Sequence, residues 1–572
     1  MFKKPDLILL HAPALYDFRT HPTLLGPISD VIPSTPIFEM YPIGFSSIAE
    51  HLENNNIRVR IINLAFRMLE NPKFEVEKFI AKLKPAAFGI DLHWLVHAQG
   101  SLEIAKICKK YHPDIPVIFG GYSSTYFHDQ LLEYPQVDYV LKGDSTEEPL
   151  LQLIKSIKKK KDCISIPNLS WRDTHGKIQS NPITNVPDSL NTLTNNYQNL
   201  FKLAVKNLDP RGMTAIRDWW KYPITAVMNC RGCTQNCIIC GGSKYSMKHY
   251  CARTNTAYRD PELIVNDVKQ ISRFTNGPIF IIGDLNQPGE EYADIVLKGL
   301  KQLHLKNELV VEIFNPADEE FYDKLADAVP NFNIEFSPES HDQAVRKKSG
   351  KFYTNEEIEL NIKWALERGC NKFDIFFMIG LPLQTQDSVR ETVQYSDYLL
   401  SKFGKKLIPF ISPLSPFLDP GSIAFENPEK FGYKLFYKKL EDFRTALLKP
   451  SWKYFLSYET EWLTREQIVE STYEAGEELS RIKYEHGLID FQTYESICTK
   501  IKLAKELIER IDEICPDIDK QVTIDYTGQL NSLKLMMERD SISSICEKEE
   551  LKWPIWKSQF KIMNIIKAIL FE

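Results

Sequence analysis

The first 160 residues alternate short apolar runs with amphipathic stretches. Runs such as Leu7–Leu10 and Ala87–Ile90 have the length of buried strands, and the stretches between them, such as Gly100–Tyr111, repeat their apolar positions with a helical period. Strands that alternate with helices predict a parallel, doubly wound α/β sheet of the Rossmann type. Such sheets bind ligands at the carboxyl ends of their strands, so the loops that follow the strands are candidate sites.

A second alternation of strands and helices begins near residue 221. Six apolar runs, the first at Ile224–Met228 and the last at Leu407–Ile411, are separated by helical stretches. Six such units predict a partial (β/α)6 TIM-like barrel with its chemistry at the carboxyl ends of the strands. The remaining chain predicts a mainly helical domain, with helices that include Leu435–Leu448 and Asp525–Glu538.

These patterns divide the chain into four segments. Residues 1–160 form the first sheet, and residues 161–220 form a linker with a hairpin whose turn is Thr174–Lys177. Residues 221–432 form the barrel, and residues 433–572 form the helical domain.

Composition narrows the class of protein. The 572 residues are 43% hydrophobic and 26% charged, as in folded globular proteins, and the net charge of −6 gives no basic surface for nucleic acid. Without a signal-peptide pattern or an apolar run of about 20 residues, a cytoplasmic location is expected. Residues 551–571 mix aromatic and lysine side chains, so this helix either contacts a membrane surface or covers its own domain.

Four of the eleven cysteines fall within Cys230–Cys240. Cys233, Cys237 and Cys240 have the spacing C-x3-C-x2-C, and Cys230 lies just upstream. Thiolates are soft ligands that hold iron–sulfur clusters, and three of them leave one iron of a cubane open to an outside ligand. The pattern therefore predicts a metal or redox site in a reducing compartment, with a zinc knuckle or a chance clustering of cysteines as the alternatives.

This spacing resembles the signature of the radical SAM enzymes. The resemblance implies a [4Fe-4S] cluster on Cys233, Cys237 and Cys240, and S-adenosylmethionine bound at the open iron and cleaved to a 5′-deoxyadenosyl radical. The Arg231-Gly232 lead-in is typical of the subgroup with an upstream cobalamin domain. Cys230 is either a catalytic donor of a proton or hydrogen atom, or a packing residue.

The ends of the barrel strands resemble the S-adenosylmethionine site of the same superfamily. Ser337-Pro338-Glu339-Ser340 matches its Gly-x-Glu-Ser segment with serine in place of glycine, and Phe377–Pro382 resembles its fifth-strand segment. The residues implied to bind S-adenosylmethionine are Gly283, Asp284, Ser337, Glu339, Ile379 and Gly380.

Loops of the first segment resemble the cobalamin-binding domain of the class B radical SAM enzymes. The resemblance is carried, in chain order, by Pro42-Ile43-Gly44-Phe45, Gly120-Gly121 and Gly143-Asp144. The residues implied to bind cobalamin are Pro42, Gly44, Asp91, Gly120, Gly121, Tyr122, Ser123, Thr125, Gly143 and Asp144.

The cobalt environment departs from that of other cobalamin proteins. The Asp-x-His-x-x-Gly loop is missing after the first strand, where His11-Ala12-Pro13 stands. This absence is usual in the subgroup and implies a base-off cobalt without a protein histidine. His93, two residues after Asp91, either approaches the lower face of the corrin or is a surface or hydrogen-bonded histidine.

The loop after the sixth barrel strand, Ser412–Ser422, contains three prolines and one glycine. Such a loop is rigid, and we expect it either to line the substrate channel, with Asp419 as the functional residue, or simply to close the barrel. Trp452 and Tyr454 are expected near the barrel entrance.

The combined resemblance is to B12-binding/radical SAM proteins of unassigned substrate. The first hypothesis is methylation of an unactivated carbon of a small-molecule or lipid substrate, with a ferredoxin or flavodoxin as electron donor. The second is a radical cyclisation, ring contraction or carbon–carbon coupling without methyl transfer. The third is a non-catalytic cobalamin or redox sensor.

Overall fold

The computed structural model describes residues 4–193, 197–516, 518, 530, 533, 544–555 and 560–570. The helix expected over Asp525–Glu538 lies outside the described residues, apart from two isolated positions. The chain forms two parallel sheets, each covered by helices, and a C-terminal region that packs against both.

The N-terminal sheet has seven strands in the order β2-β1-β3-β4-β5-β6-β7. Its elements are β1 (Leu7–His11), α1 (Gly44–Asn54), β2 (Val59–Asn63), α2 (Leu64–Glu70), α3 (Val76–Ile80), β3 (Ala87–Asp91), α4 (Ala98–Tyr111), β4 (Val117–Gly120), α5 (Tyr122–Tyr126), α6 (His128–Leu131), β5 (Tyr139–Leu141), α7 (Glu147–Lys159), β6 (Leu169–Arg172) and β7 (Ile178–Ser180).

This sheet confirms the doubly wound prediction. The strands β1 to β5 are parallel and have buried apolar side chains on both faces. The hairpin assigned to the linker extends the sheet instead, because β6 pairs antiparallel with β5 in the register Leu141↔Leu169. The first folded unit therefore reaches Ser180.

The second sheet has six parallel strands in the order β15-β14-β13-β12-β11-β8, as the partial barrel requires. Its elements are α8 (Tyr197–Lys206), β8 (Thr225–Met228), β9 (Cys230–Arg231), α9 (Lys244–Tyr250), β10 (Ala257–Tyr258), α10 (Pro261–Phe274), β11 (Ile279–Ile282), α11 (Glu290–Leu303), β12 (Leu309–Ile313), α12 (Glu319–Ala328), β13 (Phe332–Glu339), α13 (Gln343–Lys348), α14 (Asn355–Glu367), β14 (Lys372–Ile379), α15 (Gln386–Phe403) and β15 (Leu407–Pro413).

Burial alternates along the barrel strands. Val227 and Ile281 are fully buried, whereas the alternate residues Met228 and Ile282 stay partly exposed. Side chains of a strand alternate between its two faces, so the buried set faces the helices and the partly exposed set faces the lumen. The lumen therefore keeps accessible space near the carboxyl ends of the strands.

The C-terminal region contains one small sheet besides its helices. Its elements are α16 (Ile423–Glu426), β16 (Tyr433–Leu435), α17 (Leu440–Ala446), β17 (Tyr458–Thr460), α18 (Arg465–Glu485), α19 (Phe491–Ile514) and α20 (Ile562–Leu570). The helix predicted over Leu435–Leu448 is wrong at its start, because Leu435 belongs to β16, which pairs antiparallel with β17. The aromatic pair Phe436-Tyr437 favours extended backbone, and the helix begins only after it.

Trp452 and Tyr454 lie in the core rather than at an entrance. Trp452 is fully buried and donates a 2.8 Å hydrogen bond to the hydroxyl of Tyr473. A Cβ on Gly26, in the loop after β1, would lie 2.2 Å from the Trp452 ring, so only glycine fits there. Through this contact, the loop after β1 packs against the C-terminal region.

The helix α20 packs on α8 and α10 but leaves Ile562, Met563 and Ile566 exposed. Within the described part of the chain, no helix combines the length and apolar character needed to span a bilayer.

Candidate cofactor site between the sheet and the barrel

The three cysteines of the C-x3-C-x2-C motif lie in the loop between β9 and α9, above the carboxyl end of β8. The Cys233 sulfur accepts hydrogen bonds from the amide of Gln235 (3.3 Å) and from Nε2 of Gln287 (3.2 Å). The Cys240 sulfur accepts one from the amide of Gly242 (3.3 Å). Donors aimed at sulfur stabilise thiolates, the form that binds iron.

The thiols of Cys233, Cys237 and Cys240 are close enough to influence one another electrostatically, and desolvation by the surrounding protein raises the pKa of each. Among the described residues, no three Cys, His, Asp or Glu side chains are arranged for a single metal ion. Ligands of a cubane bind different irons, so their sulfurs lie farther apart than ligands that share one ion. The three thiols of one loop are a donor set that fits three irons of a cubane.

A second loop, after α13, holds the cluster loop from the barrel side. The amide of Ile238 donates to the Ser349 carbonyl at 3.0 Å, and a Cβ on Gly350 (φ +98°) would lie 2.8 Å from the Asn236 carbonyl oxygen. Lys351 follows, forms a 2.7 Å ion pair with Glu339, and opposes the pKa increase of the Cys237 thiol. Sequence reasoning missed Lys351 because nothing in a single lysine marks it as a neighbour of cysteine.

Cys230 contacts the residue that follows β11 and also lies close enough to Cys233 for the two thiols to interact electrostatically. A Cβ on Gly283 would lie 3.0 Å from its sulfur, so the two strand ends touch. Burial raises the pKa of Cys230 to about 12, so the thiol keeps its proton at neutral pH. A protonated thiol at this position agrees with a donor role, which stays a prediction.

Glu312 is the main residue that sequence reasoning missed in the barrel. It lies on the lumen face of β12, accepts a hydrogen bond from the amide of Gly283 (3.3 Å), and interacts electrostatically with Cys230. Burial raises the pKa of Glu312 to about 7. Its neighbour in register, Glu335 on β13, has a pKa raised by burial and then by Asp374 and Glu312. The sequence signal for Glu312 was a single acidic residue inside an apolar strand.

The residues predicted to bind S-adenosylmethionine lie at the ends of β11, β13 and β14. Asp284 accepts hydrogen bonds from the amides of Asn286 (2.8 Å) and Phe314 (2.9 Å), so it also braces the loops after β11 and β12. Ser337 accepts a hydrogen bond from Lys351 at its carbonyl.

The polar backbone groups of Gly380 are already bonded, its amide to Gln384 (2.8 Å) and its carbonyl to the Tyr433 hydroxyl (3.1 Å). The carbonyl of Ile379 likewise accepts from the amide of Leu414 at 2.8 Å. Any contact of Ile379 or Gly380 with adenine would therefore be apolar. Their binding role stays a prediction.

On the N-terminal sheet, the predicted cobalamin residues gather at the carboxyl edge. A Cβ on Gly44 or on Gly120 would meet no atom within 4 Å, which leaves open space above the strand ends. Thr125 accepts a 2.9 Å hydrogen bond from the amide of Gly143 and so joins the loops after β4 and β5. Ser123 donates to the carbonyl of His93 at 3.0 Å. An open edge of glycine and hydroxyl groups fits a large flat ligand such as a corrin.

Two predicted cobalamin residues have other partners. Asp91 is buried and contacts Nδ1 of His11 at 3.0 Å, so its carboxylate is already paired. The carbonyl of Pro42 accepts from the amide of Phe45 at 2.9 Å and starts α1. Their roles toward cobalamin stay predictions.

Two arginines tie the loop after β5 to the cluster loop. Arg231, next to Cys230, forms a 2.6 Å ion pair with Glu147, and both side chains are 10% exposed or less. Glu147 also accepts a 2.9 Å hydrogen bond from Ser47 in α1. Arg253 pairs with the predicted cobalamin residue Asp144 and donates to Ser145 at 3.2 Å. Neither Arg253 nor Glu147 was found from the sequence.

The cluster loop also contacts the loop after β4, at Gly241, directly after Cys240. A Cβ on Gly241 would lie 3.1 Å from the Tyr122 ring and 3.2 Å from Asp419. The amide of Gly241 donates to Asp419 at 2.9 Å, and desolvation by the surrounding protein raises the pKa of Asp419 to about 6. Cys240 and Asp419 nevertheless keep exposed side chains, so they line an opening. Asp419 thus contacts the cluster loop; its contact with substrate stays a prediction.

Two family models match the chain in separate places. The B12 binding domain matches residues 31–151, and the Radical SAM superfamily matches residues 230–396. The chain therefore combines a B12-binding domain with a radical SAM domain. Its cofactors are cobalamin, a [4Fe-4S] cluster and S-adenosylmethionine, as the resemblance of the loops implied.

Two solved structures of cobalamin-bound radical SAM enzymes have a similar fold. The radical S-adenosylmethionine methyltransferase TsrM from Kitasatospora setae, with cobalamin and a [4Fe-4S] cluster bound, superposes with a TM-score of 0.59 at 15% identity over 89% of this chain and 99% of TsrM. OxsB, with aqua-cobalamin and S-adenosylmethionine bound, gives a TM-score of 0.56 at 13% identity over 99% of this chain and 79% of OxsB.

A curated relative matches a shorter region. The anaerobic magnesium-protoporphyrin IX monomethyl ester cyclase of Synechocystis sp. is 21% identical over 175 residues, which is 30% of this chain. The match spans about a third (31%) of the length of that cyclase.

Proposed function

We propose that this cobalamin-dependent radical SAM enzyme methylates an unactivated carbon of a small-molecule or lipid substrate. The observation that carries the proposal is the contact of Gly241 with Tyr122, at 3.1 Å from a glycine Cβ position to the ring. It brings the loop of the cluster cysteines against a loop predicted to bind cobalamin. Two cofactor loops in contact support one shared reaction cavity, which radical capture by a methyl donor needs.

When bound, the cluster and S-adenosylmethionine supply a 5′-deoxyadenosyl radical, and methylcobalamin supplies the methyl group. The chain's own contribution is binding, orientation and exclusion of water. Cys233, Cys237 and Cys240 hold the cluster, and the N–H groups of Gln287 and Gly242 stabilise its thiolates. Arg231 and Arg253 fix the two loops relative to each other.

The lumen contributes groups of two kinds. Met228 and Ile282 present apolar surface, which keeps reactive species away from water. Glu312, with its pKa raised to about 7, is the lumen group best matched to exchange a proton near neutral pH. An external donor such as ferredoxin or flavodoxin completes the proposal by supplying the electron.

A second candidate is a radical cyclisation without methyl transfer. It is favoured by the local similarity to the anaerobic cyclase of Synechocystis sp., at 21% identity over 175 residues.

Product analysis separates the two candidates. The reconstituted full chain is given S-adenosylmethionine, methylcobalamin, a reductant and extracts of candidate metabolites or lipids, under anaerobic conditions. Methyl transfer predicts S-adenosylhomocysteine and 5′-deoxyadenosine together, and cyclisation predicts 5′-deoxyadenosine alone. A Cys240→Ala variant is the control without a complete cluster. Formation of neither product by the wild type would contradict both candidates.

A further inference from the structure

Three histidines surround Asp91 where β3 ends. Burial alone would raise the pKa of the Asp91 carboxyl, but the pKa is lowered overall, first by His11, which is hydrogen-bonded to it, and less by the nearby His97 and His93. The three rings differ in their hydrogen bonds and in their exposure. Those differences decide which of them is available to a ligand.

Both ring nitrogens of His11 have hydrogen-bond partners. Its Nδ1 lies 3.0 Å from Asp91, and its Nε2 lies 2.9 Å from the carbonyl oxygen of Phe38. Burial alone would lower the pKa of His11, but the Asp91 carboxylate raises it overall. With an acceptor at each nitrogen, the ring is a charged imidazolium and has no lone pair to offer.

His97 is enclosed. It is 0% exposed, and its Nε2 donates to the same carbonyl of Phe38 at 2.9 Å. Burial lowers the pKa of His97 to about 4, so the ring is neutral. No ligand reaches it without an opening of the core.

His93 is the third histidine near Asp91, and its ring is the one available to a ligand. It stays partly exposed, and its imidazole makes no hydrogen bond or ion pair with any residue that the structure describes. Burial lowers the pKa of His93, so the ring is neutral at pH 7 and keeps a free lone pair. A neutral imidazole with an uncommitted nitrogen is the form that binds transition metals.

His93 also lies at the predicted cobalamin edge. Asp91 and Gly120 are partners in the parallel register of β3 and β4, so the loops after these strands leave the sheet side by side. A Cβ on Gly121 would lie 2.7 Å from the Cα of His93, and Ser123 donates to the His93 carbonyl at 3.0 Å. The backbone of His93 therefore contacts the Gly120–Tyr122 turn, and its partly exposed ring starts from this group of loops.

We propose that His93 provides an axial nitrogen ligand to the cobalt of cobalamin bound at this edge. The proposal rests on the cobalamin assignment within the proposed function. The resemblance implied a cobalt without a protein histidine, so this ligand is a departure of this chain. It comes from the loop after β3, whereas the missing Asp-x-His-x-x-Gly loop would follow β1.

Electron paramagnetic resonance tests the ligand without any turnover. The full chain, prepared with nitrogen-15 histidine, is loaded with unlabelled cobalamin and reduced to cob(II)alamin. We expect each cobalt line to be a doublet in the labelled protein and a triplet in the unlabelled protein. His93→Ala should lose the doublet, and His175→Ala, in the exposed hairpin turn, should retain it.

The outcomes separate this proposal from the cofactor assignment. Bound cobalamin without nitrogen splitting, or with a triplet that the histidine label leaves unchanged, would overturn the His93 ligand and leave the cofactor assignment intact. A wild-type chain that binds no cobalamin would overturn both. Loss of the doublet in His93→Ala, with cobalamin still bound, would establish the ligand.

Discussion

The main-chain amide of Gly241 donates a 2.9 Å hydrogen bond to the carboxylate of Asp419. Gly241 follows Cys240, one of the three predicted cluster ligands, and Asp419 lies in the proline-rich loop after the last barrel strand. The same glycine touches Tyr122 of the N-terminal sheet. This one residue thus joins the cluster loop to both of its neighbours.

Asp419→Ala should weaken retention of the cluster. Removal of the acceptor frees the Gly241 amide and costs about 1–2 kcal/mol, which loosens the loop that carries Cys240. Asp419→Asn keeps an oxygen acceptor and should behave close to the wild type. Iron and sulfide content after reconstitution measures the effect. Equal loss in both variants would mean that the charge, and not the hydrogen bond, matters.

Replacement of only one partner of the buried ion pair between Arg231 and Glu147 should lower the stability of the protein. Arg231→Met leaves the Glu147 charge unpaired in the protein and should cost about 3–5 kcal/mol of stability. The double variant Arg231→Met/Glu147→Gln should cost less than the single one, because no unpaired charge remains.

Denaturation of the apoprotein measures this difference. Arg211→Ala is the matched control, since the Arg211–Glu70 pair is exposed (3.5 Å) and should contribute less than about 1 kcal/mol. A double variant as unstable as the single one would show that packing, and not charge pairing, holds the loops together.

Glu312 should make stability depend on pH near neutrality. Its pKa is raised to about 7 in the folded chain, above the unfolded value of about 4.3, so the folded state favours the protonated form. The stabilising effect of protonation is complete below the unfolded pKa and is lost as the pH rises through 7. Glu312→Gln should therefore gain stability over the wild type, by up to about 3 kcal/mol at pH 8 and much less at pH 5.

Unfolding midpoints of the apoprotein at pH 5 and pH 8 check the sign. If the difference in unfolding midpoint between Glu312→Gln and the wild type is the same at both pH values, the pKa of Glu312 lies in its ordinary range. Glu359→Gln is a control outside the lumen. Glu359 forms a 2.6 Å ion pair with the exposed Lys402.

The cysteines should separate into two classes. Alanine at Cys233, Cys237 or Cys240 should abolish the [4Fe-4S] absorption, whereas Cys230→Ala should keep it, because the Cys230 thiol faces Gly283 and Glu312. Cys498→Ala on α19 is the control for loss of a remote thiol. Absence of the cluster in Cys230→Ala would make Cys230 a ligand and remove it from the catalytic candidates.

The parallel sheets and the iron–sulfur cofactor were predictable because local signals in the sequence encode them. Leu7–Leu10 has the length and apolar character of a buried strand. The C-x3-C-x2-C spacing by itself indicates thiolate ligands for an iron–sulfur cluster. The hairpin at residues 168–180 was also recognised, but its pairing with β5 was not. Pairing between distant strands leaves no trace in local periodicity.

Contacts between domains were not predictable for the same reason. Arg231 and Glu147 lie 84 positions apart in the chain, and Gly241 and Asp419 lie 178 apart. Nothing local distinguishes Glu147 from other acidic residues at the start of a helix. Glu312 alone carried a readable signal, as a charge inside an apolar strand.

The central claim is that the cluster and cobalamin share one cavity, because their loops touch at Gly241 and Tyr122. The most direct test is the magnetic interaction between reduced cluster and cob(II)alamin in the fully loaded chain. We expect the cob(II)alamin resonance to broaden or split on reduction of the cluster, and to sharpen again in Cys240→Ala, which lacks the cluster. A cob(II)alamin spectrum unchanged by reduction of an intact cluster would contradict the shared cavity.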